Sequence, residues 1–159
     1  MKKYSAEELF KIAYAHLQKK DFRKSSGLFE KLINDYPENL SILRNLTHCY
    51  IYLGELEKAE TTIQKIISIK PDEPFIYQTL ASILKDQDKL EEATLIINQA
   101  LDKNLINKKW EIQKNLFFPK IPLNRDEINK YREKIEKQIE KILNVSFQTE
   151  FDYDKDQII

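Results

Sequence analysis

Residues 43–71 read LRNLTHCYIYLGELEKAETTIQKIISIKP, and this stretch decides the fold. Leu46, Thr47 and Tyr50 follow Leu43 by three, four and seven residues. With this spacing the four side chains lie on the same face of a helix. Gly54 then interrupts the pattern, because glycine commonly ends a helix. A second helical stripe follows, and it ends at Pro71 because proline cannot donate a hydrogen bond inside a helix. The stretch therefore predicts two amphipathic helices joined by a tight turn.

The same pattern recurs along the chain with a period of 34 residues. The columns that share this period are Leu9, Leu43 and Tyr77; Ile12, Leu46 and Leu80; Phe29, Ile63 and Ile97; Leu32, Ile66 and Ala100; Ala59 and Ala93; and Pro37 and Pro71. Because several independent columns step together, we predict three helix pairs, at residues 6–39, 40–73 and 74–107.

These columns resemble the tetratricopeptide repeat family. The second unit matches the family pattern through Leu43, Leu46, Thr47, Tyr50, Gly54, Ala59, Ile63 and Pro71. The third unit has Asp88 in place of the glycine, and the first has Lys20 there, with Ser25 in place of the alanine. The resemblance implies an all-α solenoid of helix-turn-helix units, in which small residues stand where paired helices approach most closely.

In this family the first helix of each unit lines a concave surface. Carried over to this sequence, the resemblance implies a partner-binding groove lined by aromatic and hydrogen-bonding side chains, which suit an extended or helical peptide. The predicted groove residues are Phe10, Tyr14, Arg44, Asn45, His48, Tyr52, Phe75, Gln78 and Ser82. The alternative is that Phe10, Tyr14 and Phe75 pack against neighbouring helices or under the C-terminal tail.

Some members of the family grip the terminal carboxylate of a chaperone with a clamp of Lys, Asn and Arg. The matching positions hold Phe10, Tyr14, Asn45, Phe75 and Thr79, of which Asn45 alone fits the pattern. A terminal carboxylate would be poorly compensated there. We therefore predict that this chain does not bind chaperone tails.

The composition excludes several kinds of site. Lys and Arg total 26, as do Asp and Glu, so no strong overall field attracts nucleic acid or a membrane surface. The chain has one Cys and two His, and the adjacent His48 and Cys49 would point about 100° apart on a helix. We predict no catalytic residue, no metal site, no cofactor, and neither nucleic acid nor membrane as a partner.

The start of the chain lacks the features of a targeting segment. Met1-Lys2-Lys3-Tyr4 runs directly into Glu7 and Glu8, which would interrupt an apolar signal core. No run of about 18 apolar residues follows. These observations predict a cytoplasmic protein.

The repeat pattern ends near residue 107. Residues 108–123 form a connector containing Pro119 and Pro122, and Asn124 with Glu127 resembles the capped start of a helix. We predict a helix at 124–143 that covers the exposed face of the last repeat, as solenoid ends require. Residues 144–159 form a tail that is either a strand or a frayed acidic end.

The segment around residue 120 has a second resemblance. Phe118-Pro119, Ile121-Pro122, Asp126-Glu127-Ile128 and Tyr131-Arg132 look like the joint that follows the repeats in SPINDLY-like bacterial relatives of O-linked N-acetylglucosamine transferases. This resemblance implies the N-terminal, substrate-recruiting portion of a protein O-glycosyltransferase whose catalytic domain is absent from the chain.

Three hypotheses for function follow from the sequence. The first is a non-catalytic adaptor, or scaffold, that binds a peptide or partner protein in its groove. The alternative is the recruiting portion of a glycosyltransferase. The third is self-association through exposed helix faces.

Overall fold

The computed structural model describes residues 4–106, 109–114, 117–118 and 124–144. Within these ranges the chain has helices and no strand, which confirms the predicted all-α fold. The helices are α1 (Ala6–Gln18), α2 (Phe22–Asp35), α3 (Leu40–Leu53), α4 (Leu56–Ile69), α5 (Pro74–Asp86), α6 (Leu90–Asp102), α7 (Lys109–Lys114) and α8 (Arg125–Asn144). The first helices of the three pairs begin 34 residues apart, and so do the second helices.

The first helix of each pair begins at a residue that suits a helix start. The Ser5 hydroxyl accepts from the Glu8 amide at 3.2 Å, and the Glu8 carboxylate accepts from the Ser5 amide at 2.8 Å. The Asn39 side chain accepts from two amides at the start of α3. Pro74 is the first residue of α5, where its missing N–H costs nothing.

The predicted columns supply many of the buried residues in the core of the repeats. Each helix packs against the next one in the chain from α1 to α7. The buried column residues are Phe29, Leu32, Leu43, Leu46, Thr47, Tyr50, Ala59, Ile63, Ile66, Tyr77, Leu80, Ala81, Leu84, Ala93, Ile97 and Ala100. Ser25, which replaces the alanine of the other units, is fully buried, and its hydroxyl donates to the Ala13 carbonyl at 2.9 Å. Its polar group is thus satisfied, and the helices still approach closely.

The turn inside each helix pair has the same backbone geometry in all three units. Lys20, Gly54 and Asp88 stand 34 residues apart, and their φ angles are 58°, 73° and 60°. In each unit the amide of the next residue donates to the carbonyl five positions earlier at 2.9 Å. Two of the three turns adopt this left-handed conformation without glycine, although it costs an ordinary L-residue about 1–2 kcal/mol.

A short helix, α7, lies within the segment that the sequence predicted as a connector. It packs against α6, and Lys114 Nζ donates to Asn98 Oδ1 at 2.6 Å. Trp110 is partly buried against the repeat core, and Phe117 is buried. These aromatic contacts pack the segment against the apolar core of the repeats and account for the helix within the predicted connector.

Helix α8 begins at Arg125, and the Glu127 amide in its first turn donates to Asn124 Oδ1 at 2.9 Å. Its proposed role as a cap stays a prediction. Residues 119–123 and the tail at 145–159 lie outside the described residues, so the glycosyltransferase resemblance and the predicted tail also stay predictions. None of the described helices combines the length and apolar character needed to cross a membrane.

The two glycines of the chain provide a matched test of the turn geometry. Neither would meet another atom within 4 Å if a Cβ were added, but Gly54 has a positive φ and Gly27 lies within α2. We expect Gly54→Ala to lower the free energy of unfolding by about 1 kcal/mol through backbone strain. Gly27→Ala should instead raise it by about 0.5–1 kcal/mol, because alanine is the better helix former.

Urea unfolding followed by circular dichroism measures both changes. Shifts of the unfolding midpoint in the same direction for the two variants would contradict the turn assignment.

Substitutions on α4 test whether α3 and α4 approach each other closely at Ala59. Ala59 has no exposed surface, whereas Thr61 is exposed on the same helix. We expect Ala59→Val to destabilise the protein by about 1–3 kcal/mol by overpacking. Thr61→Val should stay within about 0.5 kcal/mol of the parent in the same unfolding experiment. Equal effects would show that Ala59 is not a tight contact.

Candidate functional site

An open cavity of about 440 Å³ lies where the first two helix pairs meet. It is bounded by the end of α1, the turn after it, the start of α2, and α3. The lining residues are Tyr14, Leu17, Gln18, Lys20, Phe22, Asn45, His48 and Tyr52. Four of the nine predicted groove residues thus come together here: Tyr14, Asn45, His48 and Tyr52.

Three near-parallel rings form one wall of the cavity. The Tyr52 ring centroid lies 4.6 Å from that of Phe22 and 4.8 Å from that of His48, with interplanar angles of 13° and 19°. His48 and Tyr52 stand four residues apart on α3 and therefore share a helix face. Tyr52 is nonetheless 64% exposed, so the ring cluster presents aromatic surface to solvent. Such an amphipathic ring offers both stacking area and a hydroxyl for hydrogen bonding.

Phe10 lies behind the cavity and does not line it. Its ring stacks on Tyr14 at 6.5 Å and contacts the fully buried ring of Phe29 edge-on at 5.4 Å. Phe10 therefore joins the core and supports Tyr14, in keeping with the alternative of helix packing. Tyr14 itself is exposed at the cavity.

The side chains that line the cavity include one lysine and no carboxylate. The nearest acidic residue in sequence to Lys20 is Asp21, whose Oδ2 lies 3.0 Å from Lys24 Nζ and 3.4 Å from His16 Nδ1. The hydrogen bond from Lys24 is the main cause that lowers the pKa of Asp21. Lys20 forms no salt bridge within the part of the chain that the structure describes. The cavity therefore carries a positive charge that no neighbouring carboxylate neutralises.

Arg44 lies one helical turn before His48 on α3, outside the cavity lining. Its guanidinium donates to the carboxylate of Glu73, which Lys70 Nζ also approaches at 3.5 Å. Glu73 is the residue immediately before α5. The ion pair thus connects α3 to the start of α5. It also engages the Arg44 guanidinium, which the sequence analysis predicted to contact a partner.

The predicted residues of the third unit lie on α5, away from the cavity. Phe75 is 70% exposed, Gln78 is half-buried and Ser82 is exposed. Thr79 donates its hydroxyl to the Phe75 carbonyl at 2.9 Å. Phe75 therefore offers a separate apolar contact, beside the Arg44–Glu73 ion pair.

His48 and Cys49 have different environments although they are adjacent. His48 lines the cavity, whereas Cys49 has no exposed surface and burial raises the pKa of its thiol. Among the described residues, no group of three His, Cys, Asp or Glu side chains is placed to hold a metal ion.

Sequence reasoning did not assign Gln18, Lys20 or Phe22 to the site. In the sequence, Lys20 stands in place of the turn glycine, and Phe22 follows it by two residues. Gln18 is the last residue of α1, Lys20 lies in the turn, and Phe22 is the first residue of α2. The available sequence signal was Lys20 itself, a charged residue where the second unit has Gly54.

Comparison with known proteins supports the repeat assignment. Residues 16–83 match the family model described as tetratricopeptide repeat, and no curated protein matches the chain. Among solved structures, MamA (residues 41 to the end) from Desulfovibrio magneticus RS-1 superimposes with a TM-score of 0.62 at 14% identity, covering 89% of this chain and 78% of that one. The first TPR of Spaghetti (RPAP3), bound to the HSP90 peptide SRMEEVD, gives 0.55 at 16% identity, covering 84% and 93%. The TPR domain of Arabidopsis OM64 gives 0.59 at 17% identity, covering 73% and 96%. Residues 16–83 thus match the tetratricopeptide repeat, and the chain has the fold of a tetratricopeptide repeat solenoid.

Proposed function

We propose that this chain is a non-catalytic adaptor that binds a peptide segment of a partner protein in the cavity between its first two repeats. The observation that carries the proposal is the exposed ring cluster of Phe22, His48 and Tyr52 beside the amides of Gln18 and Asn45. Aromatic rings supply contact area, and amides supply directional hydrogen bonds to a peptide backbone.

The fold supports this proposal. A tetratricopeptide repeat solenoid suggests a scaffold for protein–protein interaction, and the RPAP3 repeat domain that this chain resembles holds an HSP90 peptide. In this chain a bound segment would pass from the ring cluster along α3, past Arg44, toward the exposed ring of Phe75. Arg44 precedes Tyr52 by eight residues, which is about 12 Å along a helix, so three or four extended residues would bridge the two.

The other hypotheses from the sequence remain predictions. They comprise a cytoplasmic location, self-association, a recruiting role in a glycosyltransferase, and the absence of cofactor, nucleic-acid and membrane partners. The geometry of the cavity is compatible with each of these hypotheses but supports none of them in particular.

Mutation of the ring cluster tests the proposed site. A random peptide library displayed on phage is selected against the chain, and a selected peptide is titrated by fluorescence anisotropy. We expect Tyr52→Ala to weaken binding by about 10-fold or more, because it removes a ring of the cluster that is 64% exposed. Arg44→Ala should weaken binding less, because its guanidinium already pairs with Glu73.

Leu95→Ala is the matched control, since Leu95 is 56% exposed on α6 and does not line the cavity. If Tyr52→Ala and Arg44→Ala both leave the affinity within error of the parent, the proposed site is wrong.

The positions that correspond to the chaperone clamp supply no cation here. Phe10 packs against Tyr14 and Phe29, and the Thr79 hydroxyl donates to the backbone. We therefore expect the peptide SRMEEVD to show no saturable binding below about 100 μM in an isothermal titration. Binding in the low micromolar range would contradict this expectation.

A further inference from the structure

We propose that the segment bound in this cavity is acidic and carries an aromatic residue next to a carboxylate. The aromatic side chain stacks on the ring cluster at Tyr52, and the carboxylate faces Lys20. This inference rests on the proposed function and specifies the chemistry of its partner.

The turn that borders the cavity is rich in positive charge. Residues 19–24 read KKDFRK, so four cations accompany one carboxylate. That carboxylate, Asp21, is engaged by Lys24 and lies close to His16. Lys19, Lys20 and Arg23 are exposed and form no salt bridge within the described part of the chain. An acidic partner gains attraction at this rim, and a basic one is repelled.

The backbone of Lys20 is held in place by the turn. The left-handed turn of the first repeat fixes its backbone, and its amide donates to the Leu17 carbonyl at 2.9 Å. The equivalent residues are Gly54 in the second repeat and Asp88 in the third. The cation is therefore specific to the first turn and is absent from the same turn position in the other two units.

The lining also contains hydroxyl and amide side chains. Tyr14 and Tyr52 offer hydroxyls, while Gln18 and Asn45 offer amides. None of these side chains carries a negative charge that would repel a carboxylate. The three near-parallel rings provide the surface on which a further ring can pack with offset geometry. The ring cluster and Lys20 line the same cavity. An aromatic residue of a peptide can therefore stack on the rings while the acidic residue next to it pairs with Lys20.

A suitable probe has the sequence of residues 147–156, FQTEFDYDKD, with three rings and four carboxylates against one lysine. A fluorescein-labelled synthetic copy is titrated with the full chain by fluorescence anisotropy. Two matched peptides separate the contributions: one with the four acids replaced by amides, and one with the three rings replaced by leucine. We expect each to bind about 10-fold more weakly than the probe, and added salt to weaken the acidic probe most.

Two protein variants locate the charge effect. Lys20→Asn removes the cation from the lining, and asparagine tolerates the left-handed conformation, so the turn is preserved. Lys19→Gln removes the same charge from an exposed residue outside the lining. We expect Lys20→Asn to weaken probe binding about fivefold or more, and Lys19→Gln less than twofold.

Equal binding of the acidic and amide peptides, or no effect of Lys20→Asn, overturns the inference. If Tyr52→Ala still weakens the binding of either peptide, the proposed function survives although the inference about charge fails. If neither these peptides nor any selected peptide depends on Tyr52, the proposed function fails as well.

A final variant of the full chain separates a partner from the chain's own tail. It carries Glu150→Gln, Asp152→Asn, Asp154→Asn and Asp156→Asn. Unchanged affinity for the probe supports a partner as the source of the segment. Affinity that rises about fivefold or more would identify the chain's own acidic stretch as the occupant and overturn the partner as its source.

Discussion

The left-handed residue between the two helices of each repeat is the constraint on which the rest of this structure depends. It reverses the chain within a few residues and lets the following amide close onto the carbonyl five positions earlier. The second helix then returns along the first, and the tight contacts at Ala59 and Ala93 follow. In the first repeat this position holds Lys20, so the residue at the turn also places a positive charge at the candidate site.

The cavity depends on two repeats and would not exist in one. Tyr14, Lys20 and Phe22 come from the first pair, while His48 and Tyr52 come from the first helix of the second pair. Stacking of repeats therefore creates the site and the core together, because neither pair buries its apolar face alone. Changes that loosen the contact between the pairs should affect binding as well as stability.

The opposite side of α3 is held by a polar network between the same two repeats. The Tyr50 hydroxyl donates to Glu30 Oε1 at 2.9 Å, and Lys58 Nζ lies 5.3 Å from the centre of the Tyr50 ring. Burial, together with the nearby Glu30 carboxylate, raises the pKa of Tyr50 well above its ordinary value. The hydroxyl therefore stays protonated and donates across the neutral pH range. A rigid α3 in turn positions His48 and Tyr52 for binding.

The sequence by itself determined the helix pairs, their period and the buried columns. Periodic apolar residues such as Leu43, Leu46 and Ile63 specify a helix face, and this information is local. Only the tertiary structure decided which polar and aromatic side chains share a surface. It brought Phe22 from the second-helix stripe to the rings of α3, placed Lys20 at the cavity, and paired Arg44 with Glu73. It also folded residues 109–114 into a helix against α6. These outcomes depend on contacts between residues that are 16–30 positions apart in the chain. A helical period fixes the direction of a side chain around its own axis, but not the neighbour that it meets.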